Sequence, residues 1–276
     1  MQAEETRQAV AAATSIASSS GLQVDDAVIL NNSNKLTLRL LPGDVLARVA
    51  PENEQNAEFE LEVAQRLAEV GSPVAALEPR VEPRAYELDG FVVTLWTYYE
   101  AAGAILPADY ARALELLHTG MRKVEVATPH FTDRVEEALL SLADRDHTPE
   151  LVEADREVLA GTLRRMRRAI EERQPAEQLL HGEPHPGNLL NAQGGPVFID
   201  LETCCRGPVE FDLAHAPEEI AEHYPGLDRD LLRECRMLML AIIITWRWDR
   251  NDQLPNGPGL AAQWMGELRA ALDSTH

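Results

Sequence analysis

The sequence predicts an α+β fold, with a β-rich first third and a mainly helical remainder interrupted by one short β patch. Three observations carry this expectation. Short apolar runs at Lys35–Leu40, Val45–Val49 and Phe91–Trp96 are each bounded by turn residues. From about Tyr110 onward, apolar positions recur three and four residues apart, as on the face of a helix. Between the helical stretches lies LLHGEPHPGNLL, Leu179 to Leu190. Its Pro184, Pro186 and Gly187 exclude a helix or strand interior between Glu183 and Asn188.

Taken in order, the alanine-rich segment from Ala3 to about Ile16 reads as a helix, ended by Ser18–Gly21. Ala27–Leu30 is a short strand and Asn31–Asn34 a turn. Lys35–Leu40 alternates with Leu36, Leu38 and Leu40 on one side. Pro42-Gly43-Asp44 turns the chain into a strand at Val45–Val49. A helix follows from about Asn56 to Glu69, with Val63, Ala64, Leu67 and Val70 as its stripe. Glu60 falls on that same stripe, and an inward carboxylate needs a partner. Gly71-Ser72-Pro73 ends the helix, and Asp89-Gly90 joins strands at Ala85–Leu88 and Phe91–Trp96. Tyr110, Ala113, Leu114, Leu117 and Met121 share one helical face; Leu159, Leu163, Met166 and Ile170 share another. In the β patch, Leu189-Leu190 begins a strand, Asn191–Gly195 is a loop and Pro196–Asp200 returns as a strand. Helices over Phe211–Ala221 and Asp230–Arg250 complete the reading.

The bulk properties bound the function. A chain of 276 residues fits one large domain or two packed lobes, and 45% hydrophobic residues supply a core. A net charge of -21 repels duplex nucleic acid and anionic membranes, so neither is expected as a partner. The same field attracts a cationic small molecule. The longest apolar run, Met237 to Trp246, is too short to span a bilayer. Cysteines 204, 205 and 235 are odd in number and two are adjacent, which suits neither a disulfide framework nor a zinc site. Reduced thiols and an acidic N-terminus without a secretion signal lead us to expect a cytoplasmic protein.

The polar patch carries the chemistry. A hairpin after Asn188 brings Asp200 back close to it, and two oxygen donors held together suit a hard cation such as Mg2+. Glu183, held on the stiff loop, stands where it can orient or deprotonate an incoming hydroxyl.

HGEPHPGNLL followed by VFIDLE resembles the catalytic and metal-binding motifs of the aminoglycoside phosphotransferase/choline kinase family. The resemblance spans roughly residues 25 to 250. It implies a protein-kinase-like two-lobed fold, with a nucleotide-binding lobe at 1–97 and a helical lobe at 98–276 that holds the catalytic loop, metal site and acceptor site. It also implies ATP and Mg2+ as cofactors and phosphoryl transfer to a small hydroxylated acceptor: aminoglycoside-like, macrolide-like or an amino alcohol. The general kinase arrangement supplies the roles. Glu183 is then the base, Asn188 and Asp200 the metal ligands, and Arg48 the cation on the nucleotide phosphates. Glu60 pairs with Arg48, with Glu58 as the alternative register. The backbone at Trp96, Thr97 and Tyr98 meets adenine. Asp212, in GPVEFDLA, braces the catalytic loop, with His181 and His185 as supporting residues. NNSNKLTLRL resembles the nucleotide-covering hairpin, without its glycine. The chain departs from the pattern at Glu183 (Asp in the family), at Arg48 (usually Lys) and at Leu201-Glu202 (where protein kinases have Phe-Gly). Glu202 either joins the metal site or pairs with an arginine such as Arg206. The first two departures leave open an alternative, a pseudokinase-like protein that binds nucleotide with little or no turnover. The oligomer expected is a monomer or homodimer.

Overall fold

In the computed structural model the described residues are 1–53, 56–252 and 254–273. They form an α+β protein with an antiparallel sheet in the N-terminal region and helices in the C-terminal part. Contacts divide the chain into two units, residues 1–126 with 187–203, and residues 127–186 with 204–276.

The first unit is organised by a sheet whose two faces differ. Strands β1 (Val24–Asn32), β2 (Leu36–Pro42), β3 (Val45–Pro51), β4 (Tyr86–Leu88) and β5 (Phe91–Thr97) are ordered β1-β2-β3-β5-β4. Leu36, Leu38 and Leu40 pair in register with Val49, Ala47 and Val45, and Val93 and Leu95 extend the same apolar face. Helix α1 (Ala3–Ser19) covers that face with Ala9, Ala12, Ala13, Ile16 and Ala17. Alanine is the side chain that lets a helix lie close on a leucine-rich sheet, and burial of this apolar layer stabilises the unit. Because side chains alternate along a strand, Leu46 and Arg48 fall on the opposite face with their cross-strand partners Trp96 and Thr94. The β4–β5 turn has Asp89 at φ 52° and Gly90 at φ 83°, the double left-handed conformation of a tight hairpin.

Helix α2 (Ala57–Glu69) buries Glu60, Leu61, Val63, Ala64 and Leu67. After α3 (Pro107–Met121), the unit is completed by the hairpin β7 (Leu189–Ala192) and β8 (Gly195–Phe198). Phe198 fixes this hairpin: its N–H donates to Pro73 O, its C=O accepts from Ala75 N at 2.8 Å, and its ring meets Tyr110. The hairpin and α3 both belong to the first unit.

The second unit holds α4 (Phe131–Ala143), α5 (Glu153–Glu172), α6 (Val209–His215), α7 (Arg229–Arg247) and α8 (Gly257–Asp273), with a two-stranded ribbon of β6 (Gln178–Leu180) and β9 (Cys205–Gly207). Leu159, Leu163, Met166 and Ile170 of α5 are buried, as are Leu238, Ala241, Ile242 and Ile244 of α7. The run from Met237 to Trp246 therefore lies within an amphipathic helix, and no helix among the described residues is long and apolar enough to cross a membrane. The three cysteines are free and buried.

Two expectations are corrected. The helix expected over Phe211–Ala221 stops at His215. Ala216 is extended (ψ 154°) because it precedes Pro217, and only a 3-10 turn, Glu218–Glu222, follows. The strand expected over Pro196–Asp200 ends at Phe198, and Asp200 adopts a left-handed conformation with φ 67°.

Candidate active site

In the first unit the polar sheet face, α2 and the β7–β8 hairpin enclose a cavity of about 500 Å3. Arg48 projects into it from β3. Its Nη1 donates to Glu60 Oε1 and its Nη2 donates to Asp200 Oδ1 at 2.7 Å. One guanidinium thus spans a helix carboxylate and a hairpin carboxylate, each bonded by a different nitrogen of its planar fork. Glu60, only 2% exposed, also accepts from Leu201 N at 3.2 Å. Glu58, the alternative register, points elsewhere and accepts from Ala85 N.

The hairpin delivers Asp200 and Asn188 to the same cavity. Leu189 pairs with Phe198, and Ile199 N donates to Asn188 O at 3.0 Å. Beyond the strand, the left-handed backbone at Asp200 and the 3-10 turn Leu201–Thr203 bring Glu202 alongside. Oxygens of Glu60, Asp200 and Glu202 all lie within 4.8 Å of one another. The turn, and not a continued strand, gathers these acids. Such a backbone conformation in a non-glycine residue costs about 1–3 kcal/mol and concentrates at functional sites.

Glu202 pairs with Lys35, which the sequence reading did not single out as a site residue. Arg206, the arginine weighed as its partner, lies on β9 in the second unit. Lys35 is the last residue of the β1–β2 turn, is 9% exposed, and lines the cavity. A signal for it existed: this chain holds only two lysines, and one stands in the hairpin segment that resembles the nucleotide-covering element.

Charge in this cluster is strongly perturbed. Burial pushes the Glu60 carboxyl up, against the pull of Arg48. Burial and the neighbouring Asp200 raise Glu202, against Lys35. For Arg48, burial opposes the charge, but Glu60 and Asp200 outweigh it and hold the guanidinium firmly ionised. The donor set of Asp200, Glu202 and the amide of Asn188 is hard oxygen throughout, and fits a magnesium ion shared with phosphate oxygens.

Trp96, Thr97 and Tyr98 also line the cavity. The N–H of Thr97 donates to Ala76 O at 2.9 Å and that of Tyr98 to Asp44 O at 3.3 Å, so both donors are engaged within the unit. Leu30, Leu46, Leu190 and Phe198 give the cavity its apolar lining.

The second unit holds the remaining site residues. Asp212, in the first turn of α6 and fully buried, accepts from His181 N at 2.9 Å and from Gly182 N at 2.8 Å. Gly182 has φ 88°, a conformation that leaves its N–H aimed at Asp212 and that a side chain would strain. Glu183 follows; its C=O accepts from His185 N at 2.8 Å in a tight turn centred on Pro184. The Glu183 carboxylate meets Arg134 of α4, whose Nη1 donates to Glu183 Oε1 at 3.1 Å and to Gly182 O at 3.2 Å. Sequence reasoning missed Arg134, because 49 residues separate it from Glu183 and nothing in its helix distinguishes it.

His215 packs its ring edge against Phe211, and its Nε2 is sealed from solvent with no hydrogen-bond partner. Burial, with the charge of Arg134 second, pushes its pKa down to about 3. A histidine held neutral in this way contributes stability above its ordinary value of 6.5 and loses it as pH falls toward 3. The melting temperature is therefore expected to drop between about pH 6.5 and 4. In His215→Leu that slope should flatten; equal slopes in the two proteins would refute the assignment.

The sequence profile of the phosphotransferase enzyme family matches residues 30–234, most of the chain, and the chain belongs to that family. No curated protein matches it by sequence. Among solved structures, it is similar to an amicoumacin kinase in complex with AMP-PNP, Ca2+ and amicoumacin, at 13% identity and TM-score 0.70, with 97% of this chain and 96% of that chain covered. It is also similar to a choline kinase from Streptococcus pneumoniae, at 12% identity and TM-score 0.71, with 98% and 99% covered. A spectinomycin phosphotransferase bound to ADP and spectinomycin matches at 13% identity and TM-score 0.67, with 99% and 98% covered. At these identities the likeness establishes the fold, which is the protein-kinase-like fold of these small-molecule kinases.

Proposed function

We propose that this protein is an ATP- and Mg2+-dependent kinase that transfers the γ-phosphoryl group to a hydroxyl of a small molecule. The observation that carries the reading is the Arg48 fork, which joins Glu60 of the helix to Asp200 of the hairpin inside one cavity with Glu202 beside it. Arg48 binds nucleotide phosphate. Asn188, Asp200 and Glu202 hold magnesium, which when bound neutralises charge on the transferring group. Trp96 to Tyr98 and the apolar lining receive the base. In the second unit, Glu183 accepts or orients the acceptor hydroxyl, and Arg134 and Asp212 set the loop that carries it. Phosphoryl transfer asks little covalent chemistry of a protein; positioning and fixed charge account for most of the rate.

The similar structures named above include a spectinomycin phosphotransferase and a choline kinase, and a net charge of -21 favours an amine-bearing acceptor here. The protein is read as cytoplasmic. Incubation with magnesium–ATP and a panel of amino alcohols, aminoglycosides and macrolides, followed by 31P NMR, is expected to show a new phosphate ester and stoichiometric ADP. The Michaelis constant for a cationic acceptor should rise with salt. ATP binding without any phosphorylated product would favour the pseudokinase alternative. Absence of both binding and product would end the kinase reading.

A further inference from the structure

Lys35 is the feature of this cavity that the proposed roles leave unused. Its Nζ bonds the Glu202 carboxylate, and its side chain is 10% exposed. Burial and the charge of Arg48 both work against its ammonium, while Glu60 and Glu202 hold it charged. A buried ammonium is costly and rarely persists without a specific partner. It stands two residues before Thr37, the cross-strand partner of Arg48, so the hairpin and β3 deliver two cations to one cavity.

Counted together, Lys35 and Arg48 face Glu60, Asp200 and Glu202, leaving one net negative charge. That balance has opposite consequences for ligands of opposite sign. A triphosphate gains from each cation. A bare divalent cation gains from each carboxylate that no ammonium already neutralises.

We propose that Lys35 is a second phosphate-binding cation of this site, and that its pair with Glu202 biases the cavity toward the metal–nucleotide complex over the metal alone. This deepens the kinase reading and rests on it. Arg48 supplies the fork, fixed between two carboxylates. Lys35 supplies a compact charge on a flexible stem that exchanges its bond to Glu202 for one to phosphate, as Glu202 turns its carboxylate to the cation.

The test compares wild type, Lys35→Met, Lys35→Arg and Glu202→Gln in two titrations: magnesium–ATP by calorimetry, and Mn2+ without nucleotide by electron paramagnetic resonance. Lys35→Met is expected to weaken magnesium–ATP at least tenfold and to tighten Mn2+ at least threefold. Lys35→Arg should stay within about threefold of wild type for the nucleotide. Glu202→Gln should weaken Mn2+ at least threefold. A lysine that merely braces the hairpin would, when replaced, weaken both ligands or neither, and either result overturns the proposal. Should Lys35→Met fail to fold, Lys35→Gln keeps a hydrogen bond to Glu202 while dropping the charge, and carries the same expectations. The two readings fail differently. Wild type that binds no magnesium–ATP overturns the kinase reading and this one together; wild type that binds it as tightly as Lys35→Met overturns this one alone.

Discussion

Arg48→Met is expected to unfold more easily at neutral pH by about 3–5 kcal/mol, and to lose roughly 10²–10³ in kcat/KM. The stability loss follows from what the substitution leaves behind. Glu60 is 2% exposed and, with Asp200 and Glu202 inside the same 4.8 Å group, would keep its charge without the guanidinium that balances it. The pH dependence gives the cause away. Glu60 already has its carboxyl pushed up by burial, and removing Arg48 raises it further. A carboxyl whose folded pKa exceeds its unfolded value stabilises the fold below the unfolded value, and that stability is lost as pH rises through the folded one. Arg48→Met should therefore recover stability as pH falls toward about 4, where Glu60 is protonated. Urea melts of both proteins between pH 4 and 8 measure this, and a constant difference across that range would refute it. Arg48→Lys keeps the charge but not the fork, so it should restore part of the stability and little of the rate.

Glu183→Gln is expected to lower kcat by about 10²–10⁴ while the affinity for magnesium–ATP stays near that of wild type. An amide cannot take the hydroxyl proton, whereas the nucleotide cavity lies among other residues. Glu183→Asp is the sharper variant. It restores the residue usual in the family but withdraws the carboxylate by one methylene, from a loop set by Asp212 and from the Arg134 contact at 3.1 Å. A displacement of about 1 Å typically costs on the order of a hundredfold, so kcat should fall. A gain in kcat would mean that the loop is not adjusted to the longer side chain, and would favour the pseudokinase alternative.

The resemblance drawn from LLHGEPHPGNLL and VFIDLE led to the family, and the family profile matches most of the chain. Local patterns were enough for the strands of the sheet and for α1, α2, α3, α5 and α7, because those follow from apolar periodicity and from Gly, Pro and Asp at turns; α4 and α8 were not read from the sequence. Glu60 was legible as an inward carboxylate for the same reason: helix geometry places it on the stripe of Val63, Ala64 and Leu67.

The α+β order, the stiff loop around Glu183, and the acids and amides near the β patch are all legible along the chain. Which of these side chains meet is settled by packing. Lys35 finds Glu202 across 167 positions, and Arg48 finds Asp200 across 152. Arg134 reaches Glu183 because α4 packs beside the loop, and Glu202 enters the acidic group because Asp200 turns left-handed where a strand was expected. Periodicity reports which side of an element is buried. It carries no information about the partner on the far side, since that depends on how distant elements pack and on which charges must be neutralised once water is removed.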